Sequence, residues 1–226
     1  MANFKRSLLA ACALHLCAAL PAGATAVRFT GGDAVYFDGT RDVTNNVDTY
    51  YNVTYYAENG YKISNTGGVL NLGNYYGLGN DVMHTHWARN GGGVTEVRVA
   101  RLDGAAFDLN AFDVSSNNHP GGTASGDELT YIHASVDGVH ASYRVLLPPE
   151  NWGGTMSTVL LGAQFDNIKA FWFTTENFVD CLGIDNLVLE DAGQVPEPGS
   201  LALIGLAFAG LAAVRRKTAQ AGRCHA

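Results

Sequence analysis

The middle of this chain consists of short runs of β-branched and aromatic residues, separated by Gly, Asn and Asp. Residues 27–191 show little helical periodicity, whereas residues 95–100 alternate apolar and polar side chains with the period of two that is typical of a half-exposed strand. The 27 glycines suit the frequent turns between short strands. This pattern predicts an all-β fold, namely a single antiparallel β-sandwich.

The predicted strands follow one another closely. They are residues 35–37, 50–56, 61–63, 69–72, 82–87, 95–100, 107–114, 129–136, 139–145, 157–161, 168–174 and 183–189. Asp137-Gly138 separates two of these runs and favours a two-residue hairpin, because this pair readily adopts the positive φ angles of a type I′ turn.

The N-terminal residues 1–26 have the three parts of a secretory signal peptide. Two basic residues precede a mainly apolar stretch at residues 7–20, and an A-x-A cleavage site ends at Ala26. We expect cleavage after Ala26, with cleavage after Ala24 as the alternative. The chain is therefore predicted to be exported.

A proline motif precedes the C-terminal apolar segment. Residues 193–199 form a linker that contains Pro196-Glu197-Pro198. The two prolines lack backbone N–H groups and hold their φ angles near one value, so the linker stays extended and outside any helix or sheet. An extended segment is what a protease-like enzyme needs for binding.

Residues 200–217 are predicted to form a short transmembrane helix. The uncharged run 201–214 would span roughly 21 Å as a helix, less than the hydrocarbon core of about 30 Å. Flanking residues must therefore snorkel, or the bilayer must thin. The helix ends in a basic stop that should remain cytoplasmic and consists of Arg215, Arg216 and Lys217. We interpret residues 218–226 as a disordered tail.

The order of these C-terminal parts resembles the PEP-CTERM sorting signal of Gram-negative bacteria. The resemblance implies that an exosortase-type membrane enzyme is a partner that recognises and processes the signal. It also implies export through the inner membrane, a transient membrane-anchored precursor, and a final place at the cell surface or in the extracellular matrix of a Gram-negative bacterium. Exopolysaccharide would then be a further partner.

One domain, residues 27–192, lies between the two terminal signals, and its length suits one compact core. From Val27 to Val195 there are 8 Lys plus Arg and 20 Asp plus Glu, a net charge of −12. Such a domain repels nucleic acid, so we expect no nucleic-acid partner. Its single cysteine, Cys181, allows no internal disulfide and is interpreted as a buried small hydrophobic residue.

Parts of this domain resemble the jelly-roll domains that are common in PEP-CTERM proteins and are similar to carbohydrate-binding modules. The matching segments are residues 104–114, 170–173 and 183–187. The resemblance implies that an acidic residue of the final strand ligates a structural calcium ion, and Asp185 is the matching position. Asp33 or Asp38 lies in the region of the family's N-terminal ligands. Structural calcium is thus the cofactor to be tested.

Asp and Asn residues in loops offer a second indication of calcium. Residues 42–46 and Asn80-Asp81 could supply oxygen ligands. The alternative is that these residues only form turns.

His84-Thr85-His86 is a candidate ligand-contact site. Residues two apart in a strand share a face, so both imidazoles could point at one metal ion. His133 or an acidic side chain could complete a zinc- or copper-like set, although no HExxH motif or third ligand at a fixed spacing is present. Trp87 follows directly, so the same stretch could instead stack on a sugar. Ordinary strand packing is the third interpretation.

Aromatic residues are numerous and could stack on sugars, although tyrosine is also a favoured strand residue. The candidates are Tyr50, Tyr51, Tyr55, Tyr56, Tyr75, Tyr76 and Trp152. No catalytic residue is predicted, because Ser125 and Ser135 lack a nucleophile elbow and Asp127-Glu128 has no identifiable partner.

We therefore expect a non-enzymatic protein with a structural or glycan-binding role. The alternative is a secreted hydrolase or lyase that acts on glycans from a jelly-roll scaffold. A cleft with two acids at a fixed separation would favour the enzyme. A flat aromatic strip would favour the binding module. A wholly polar exterior would favour a passive structural role.

Overall fold

The computed structural model describes residues 24–75, 79–88, 91–115, 129–148, 156–176 and 180–192. Most of the predicted signal peptide, the proline linker, the predicted transmembrane helix and the C-terminal tail lie outside these residues. Within them, none of the helical structure has the length and apolar character needed to cross a membrane.

Fifteen strands and the short 3-10 turn Ala163–Phe165 are the elements that lie wholly within the described residues. The strands are β1 (Thr25–Val27), β2 (Asp33–Val35), β3 (Arg41–Val43), β4 (Tyr50–Val53), β5 (Tyr55–Glu58), β6 (Tyr61–Thr66), β7 (Leu70–Gly73), β8 (Val82–His86), β9 (Glu96–Arg101), β10 (Phe107–Ser115), β11 (Leu129–Ser135), β12 (Tyr143–Leu146), β13 (Ser157–Leu160), β14 (Ala170–Glu176) and β15 (Cys181–Asp191).

The strands form two antiparallel sheets. The seven-stranded sheet has the order β13-β10-β15-β8-β7-β4, with β1 paired to β15. The eight-stranded sheet has the order β12-β11-β14-β9-β6-β5-β2-β3. Aromatic side chains pack between the two sheets. The ring centroids of Phe112 and Phe173 are 5.5 Å apart, and those of Phe107 and Phe171 are 6.1 Å apart. The prediction of an all-β sandwich is confirmed.

Two local predictions were wrong. Residues 50–56 form two strands in different sheets, because the chain crosses from β4 to β5 at Thr54, whose N–H donates to the Val35 carbonyl. The connection after β11 is also wider than a two-residue hairpin. The Asp137 carboxylate accepts the backbone N–H groups of Val139 and His140, so the chain loops outward before β12 begins.

The first and last described strands lie side by side. Thr25 pairs with Leu189, and Val27 pairs with Leu187. Cleavage after Ala26 would remove most of β1, whereas cleavage after Ala24 would preserve all of it. The position of cleavage stays a prediction, and the strand pairing favours the earlier site. On β15 itself, Cys181 is buried.

Candidate functional site

The outer face of the eight-stranded sheet is defined by strand alternation. On β9, Val97 and Val99 are buried in the core, whereas Arg98 and Ala100 are not fully buried. Because successive side chains point to opposite faces, Arg98 and Ala100 face away from the core. The residues paired with them across the sheet share this outer face.

One row of outward side chains crosses six neighbouring strands. Strand register aligns Arg144, His133, Trp172, Arg98, Ser64 and Tyr55, in this order. With adjacent strands about 4.8 Å apart, the row is about 24 Å long. Its residues come from six strands of one sheet, and the row is long enough to meet an extended polymer.

Trp172 lies at the centre of this row and is only 7% exposed. The His133 ring stacks on it with a centroid separation of 5.5 Å and an interplanar angle of 9°. The Arg98 guanidinium carbon lies 4.6 Å from the Trp172 ring centroid. The Trp172 ring therefore packs against the side chains of His133 and Arg98, which are partly exposed to solvent.

Two further cation–π contacts lie on the same face. The guanidinium carbon of Arg144 lies 3.4 Å from the centroid of the Tyr131 ring. Lys62 places its Nζ atom 4.3 Å from the centroid of the Tyr55 ring. We name the surface formed by these residues the aromatic–basic face; it comprises Tyr55, Lys62, Arg98, Tyr131, His133, Arg144 and Trp172.

The surroundings of His133 on this face disfavour its protonated form. Partial burial, followed by the nearby charge of Arg144, lowers the pKa of His133 below its usual range. Its Nε2 atom lies 2.8 Å from the Thr174 hydroxyl, which orients the ring. Because Nε2 is paired with Thr174, only Nδ1 is left to contact a ligand, and a sugar hydroxyl can complement it as either donor or acceptor.

A second candidate site is a polar cavity of about 470 Å³ beside β15, which we name the Asp185 cavity. It is lined by Arg28, Thr30, Asn46, Glu58, Asn80 and Asn186. Asp185 lies next to it and is 1% exposed. Its carboxylate accepts the Asn80 amide at 2.6 Å and the Asn186 backbone N–H at 2.7 Å. Burial raises the pKa of Asp185 to about 6.

Glu58 ties the start of the domain to this cavity. Its Oε2 atom accepts the backbone N–H groups of Arg28 at 3.0 Å and Phe29 at 2.9 Å, and the Tyr56 hydroxyl at 2.9 Å. Burial is the largest influence on Glu58 and raises its pKa. Glu58 thus has a structural role at the edge of the cavity.

Asp81 is a buried acid that contacts Asn46, one of the residues lining the Asp185 cavity. It is fully buried, and its Oδ2 atom accepts the Asn46 backbone N–H at 3.0 Å. Its Oδ1 atom has no hydrogen-bond partner among the described residues. Burial raises the pKa of Asp81. Carboxylate and amide oxygens are ligands that calcium prefers, so Asp185 and the amide groups of Asn80 and Asn186 beside it fit this ion chemically.

The other predicted calcium ligands lie elsewhere. Asp33 contacts Arg41 at 3.5 Å, and Asp38 accepts the Thr40 hydroxyl at 2.6 Å in an exposed turn. Across the described ranges, no group of three or more His, Cys, Asp and Glu side chains is placed to hold a metal ion. A calcium site at Asp185 would therefore depend on amide, hydroxyl or backbone oxygens as well.

The histidine pair lies on the seven-stranded sheet, away from the aromatic–basic face. The Nε2 atoms of His84 and His86 are 3.3 Å apart, and His86 Nδ1 lies 3.4 Å from an Asp180 carboxylate oxygen. Burial lowers the pKa of His84 to about 3, and the Tyr75 ring stacks on it at 4.6 Å. Trp87 is fully buried in the core, so it offers no ring face to a sugar.

The predicted aromatic candidates divide between core and surface. Tyr50 and Tyr56 are buried, Tyr51 is exposed, and Tyr55 is partly exposed on the aromatic–basic face. Tyr76 and Trp152 lie outside the described residues, as do Ser125 and Asp127-Glu128. Sequence reasoning missed Trp172, Arg98 and His133 as a group. The sequence feature that could have indicated them is side-chain alternation, which places each of these residues on the outer face of its strand.

Comparison with protein families identifies the C-terminal segment. Residues 194–217 match the model described as the PEP-CTERM protein-sorting motif. The chain carries a PEP-CTERM sorting motif. This marks an exported protein whose precursor is membrane-anchored and processed by an exosortase. The matched residues include Pro196-Glu197-Pro198 and the basic cluster that begins at Arg215.

Solved structures similar to this chain include family 29 carbohydrate-binding modules. A point mutant of CBM29-2 is 17% identical, with a TM-score of 0.40, and the match covers 76% of this chain and 94% of that module. A second CBM29-2 mutant, in complex with mannohexaose, is 13% identical, with a TM-score of 0.33 and coverages of 75% and 92%. No curated protein matches the chain in sequence.

Proposed function

We propose that this PEP-CTERM protein is a non-enzymatic glycan-contacting component of the cell surface or exopolysaccharide matrix of a Gram-negative bacterium. The observation that carries the proposal is the row on the aromatic–basic face, in which Trp172 supports His133 and Arg98 across adjacent strands. Aromatic surfaces stack on the apolar faces of sugars, while imidazole and guanidinium groups supply hydrogen bonds. The sorting motif delivers this face to a place rich in polysaccharide.

Tyr131 and Tyr55 provide the test of the glycan-binding face. We expect the double variant Tyr131→Ala/Tyr55→Ala to bind its polysaccharide about tenfold more weakly, because large aromatic contacts commonly dominate a binding surface. Affinity electrophoresis of the full chain in mild detergent, against a panel of soluble polysaccharides, measures this change.

Tyr51→Ala is the matched control, since Tyr51 is exposed but lies on β4 of the other sheet. It should leave binding unchanged. Equal weakening by Tyr51→Ala, or no retardation by any polysaccharide, would contradict a glycan-binding role for this face.

A glycan-active enzyme is the alternative function. Glu58 lines the Asp185 cavity and Asp185 adjoins it, and burial raises the pKa of both carboxyl groups. Two such acids beside one cavity are the feature that favours an enzyme. Both carboxylates already accept structural hydrogen bonds, which favours the non-enzymatic proposal. Shorter oligosaccharides released in the binding experiment would show the enzyme instead.

Calcium at the Asp185 cavity is part of the proposal. EDTA should lower the melting temperature by about 5–10 °C if the ion is present at about 100 times its Kd, because the ion stabilises only the folded state. Added calcium should restore it. Asp185→Asn should abolish the response, whereas Asp38→Asn, at an exposed acid in a separate turn, should retain it. Superimposable melting curves with and without EDTA would exclude the ion.

A further inference from the structure

A smaller cavity, of about 320 Å³, opens on the aromatic–basic face. It is lined by Lys62, Ser64, Arg98, Ala100, Arg101 and Leu102. These residues lie on or just after the neighbouring strands β6 and β9, with Lys62 paired to Ala100 and Ser64 paired to Arg98. Because Ser64 and Ala100 have short side chains, the long cationic side chains around them enclose a hollow. We name it the Lys62 cavity.

Its lining is richer in cations than the rest of the domain. Three of the six lining side chains are cations, and no acidic side chain belongs to this described lining. The domain as a whole has only 8 Lys plus Arg against 20 Asp plus Glu. Carboxylates outside this lining, those of Glu96, Asp103 and Asp191, offset the charges of the two arginines. The remaining charge of Lys62, beside the N–H donors of Arg98, therefore points to an anionic ligand.

Acidic neighbours hold the two arginines in place from outside the cavity. Arg101 Nη2 lies 2.7 Å from an Asp103 carboxylate oxygen, and Arg101 also contacts Asp191. Arg98 Nη1 lies 3.4 Å from Glu96 Oε1, while its guanidinium group packs over Trp172. Groups that are positioned before binding lose less entropy when a ligand arrives. Arg98 is thus preorganised at the cavity wall, whereas the guanidinium group of Arg101 is already bound by two carboxylates.

Lys62 has a different environment from the arginines. Its Nζ atom lies over the Tyr55 ring and forms no ion pair with the described residues. An ammonium group has three N–H donors and no acceptor, so it is suited to an anionic oxygen. Lys62 is therefore the cation of this cavity with the most capacity for a ligand.

We infer that the Lys62 cavity is a subsite for an anionic sugar, one that bears a carboxylate or a sulfate group, within the glycan bound by the aromatic–basic face. This inference rests on the proposed function. Arginine binds carboxylate and sulfate oxygens with its planar set of donors, and lysine adds a compact charge. The Ser64 hydroxyl is available to a sugar hydroxyl. A neutral sugar would cover Lys62 without pairing its charge.

Four polymers, in two pairs of one charged and one neutral member, distinguish recognition of an anionic group from binding to any sugar. Polygalacturonate supplies carboxylates, and its carboxyl-reduced form supplies the same backbone without charge; dextran sulfate and dextran form the corresponding sulfate pair. The full chain in mild detergent should bind at least one charged polymer more tightly than its neutral partner. Raising the salt concentration should weaken that preference.

Lys62→Gln should weaken binding to the preferred anionic polymer about tenfold, since a charge-assisted contact is lost. Lys62→Arg should retain most of the affinity. Lys169→Gln is the matched control, because it makes the same substitution at an exposed lysine outside the cavity lining. A melting curve for each variant verifies that it is folded.

The outcomes are distinguishable. Equal affinity for charged and neutral polymers would overturn the anionic subsite and leave the proposed function standing. Binding to none of the polymers or the wider polysaccharide panel would overturn both. Equal weakening by Lys62→Gln and Lys169→Gln would also overturn the subsite, because the effect would then come from overall charge. Preference for dextran sulfate over polygalacturonate would support it with sulfate as the recognised group.

Discussion

Replacement of Pro196-Glu197-Pro198 by three alanines is expected to leave the full-length chain in the inner membrane. The triplet lies within residues 194–217, which match the sorting motif. Alanine favours helix, so the apolar helix could extend into a segment that the prolines keep extended. The exosortase would then meet no accessible extended segment. Immunoblots of membrane, surface and medium fractions measure the result, and we expect nearly complete retention of the precursor.

Deletion of residues 218–226 is the control for this experiment. This tail follows the matched motif, and its loss should not alter delivery. If the alanine variant is processed and delivered as efficiently as the natural chain, the triplet is not what the enzyme recognises.

Phe173→Ala is expected to lower the free energy of unfolding by about 3–5 kcal/mol, the usual cost of truncating a buried phenylalanine. Phe173 is fully buried on β14. Its ring contacts Phe112 of the opposite sheet at 5.5 Å and Phe171 of its own strand at 5.8 Å. Truncation therefore leaves a cavity between the two sheets. Urea unfolding of the variant and the natural chain measures the difference.

Phe37→Ala makes the same substitution at a residue that is 98% exposed. It should change the free energy of unfolding by less than about 0.5 kcal/mol. Similar losses in the two variants would mean that Phe173 does not pack between the sheets as described.

Strand content was predictable because it depends on short-range patterns. The alternation at residues 95–100 predicted β9 almost to its ends, and the fold class followed from many such runs. Which strands pair was not predictable, since pairing depends on contacts between distant parts of the chain. The break at Thr54 shows this: residues 50–56 read as one strand, but their buried ends, Tyr50 and Tyr56, belong to different sheets.

The candidate binding face illustrates the same limit. His84, His86 and Trp87 attracted attention because they are adjacent in sequence, yet Trp87 is part of the core. Arg98 and Trp172 are far apart in sequence and meet only because β9 pairs with β14 in one register. A shift of one residue would turn each side chain to the opposite face.

The polar cavity was partly accessible from the sequence. The resemblance to jelly-roll domains indicated Asp185 as a calcium ligand. The Asp and Asn content of the loops indicated Asn46 and Asn80-Asp81. The structure brings these residues to one place, although turn formation would equally explain the loop residues. Glu58 was not selected, because a single acid at a strand end carries no local pattern. Its role depends on backbone N–H groups about thirty positions earlier in the chain.

The pairing of the last strand has a mechanical consequence. β15 ends at Asp191, close to where the linker to the membrane anchor begins, and it is bonded to β10 on one edge and to β8 and β1 on the other. A pull on the anchored precursor would act along β15 and load these rows of hydrogen bonds together, in shear. The strand that receives the pull is thus held by hydrogen bonds along both of its edges.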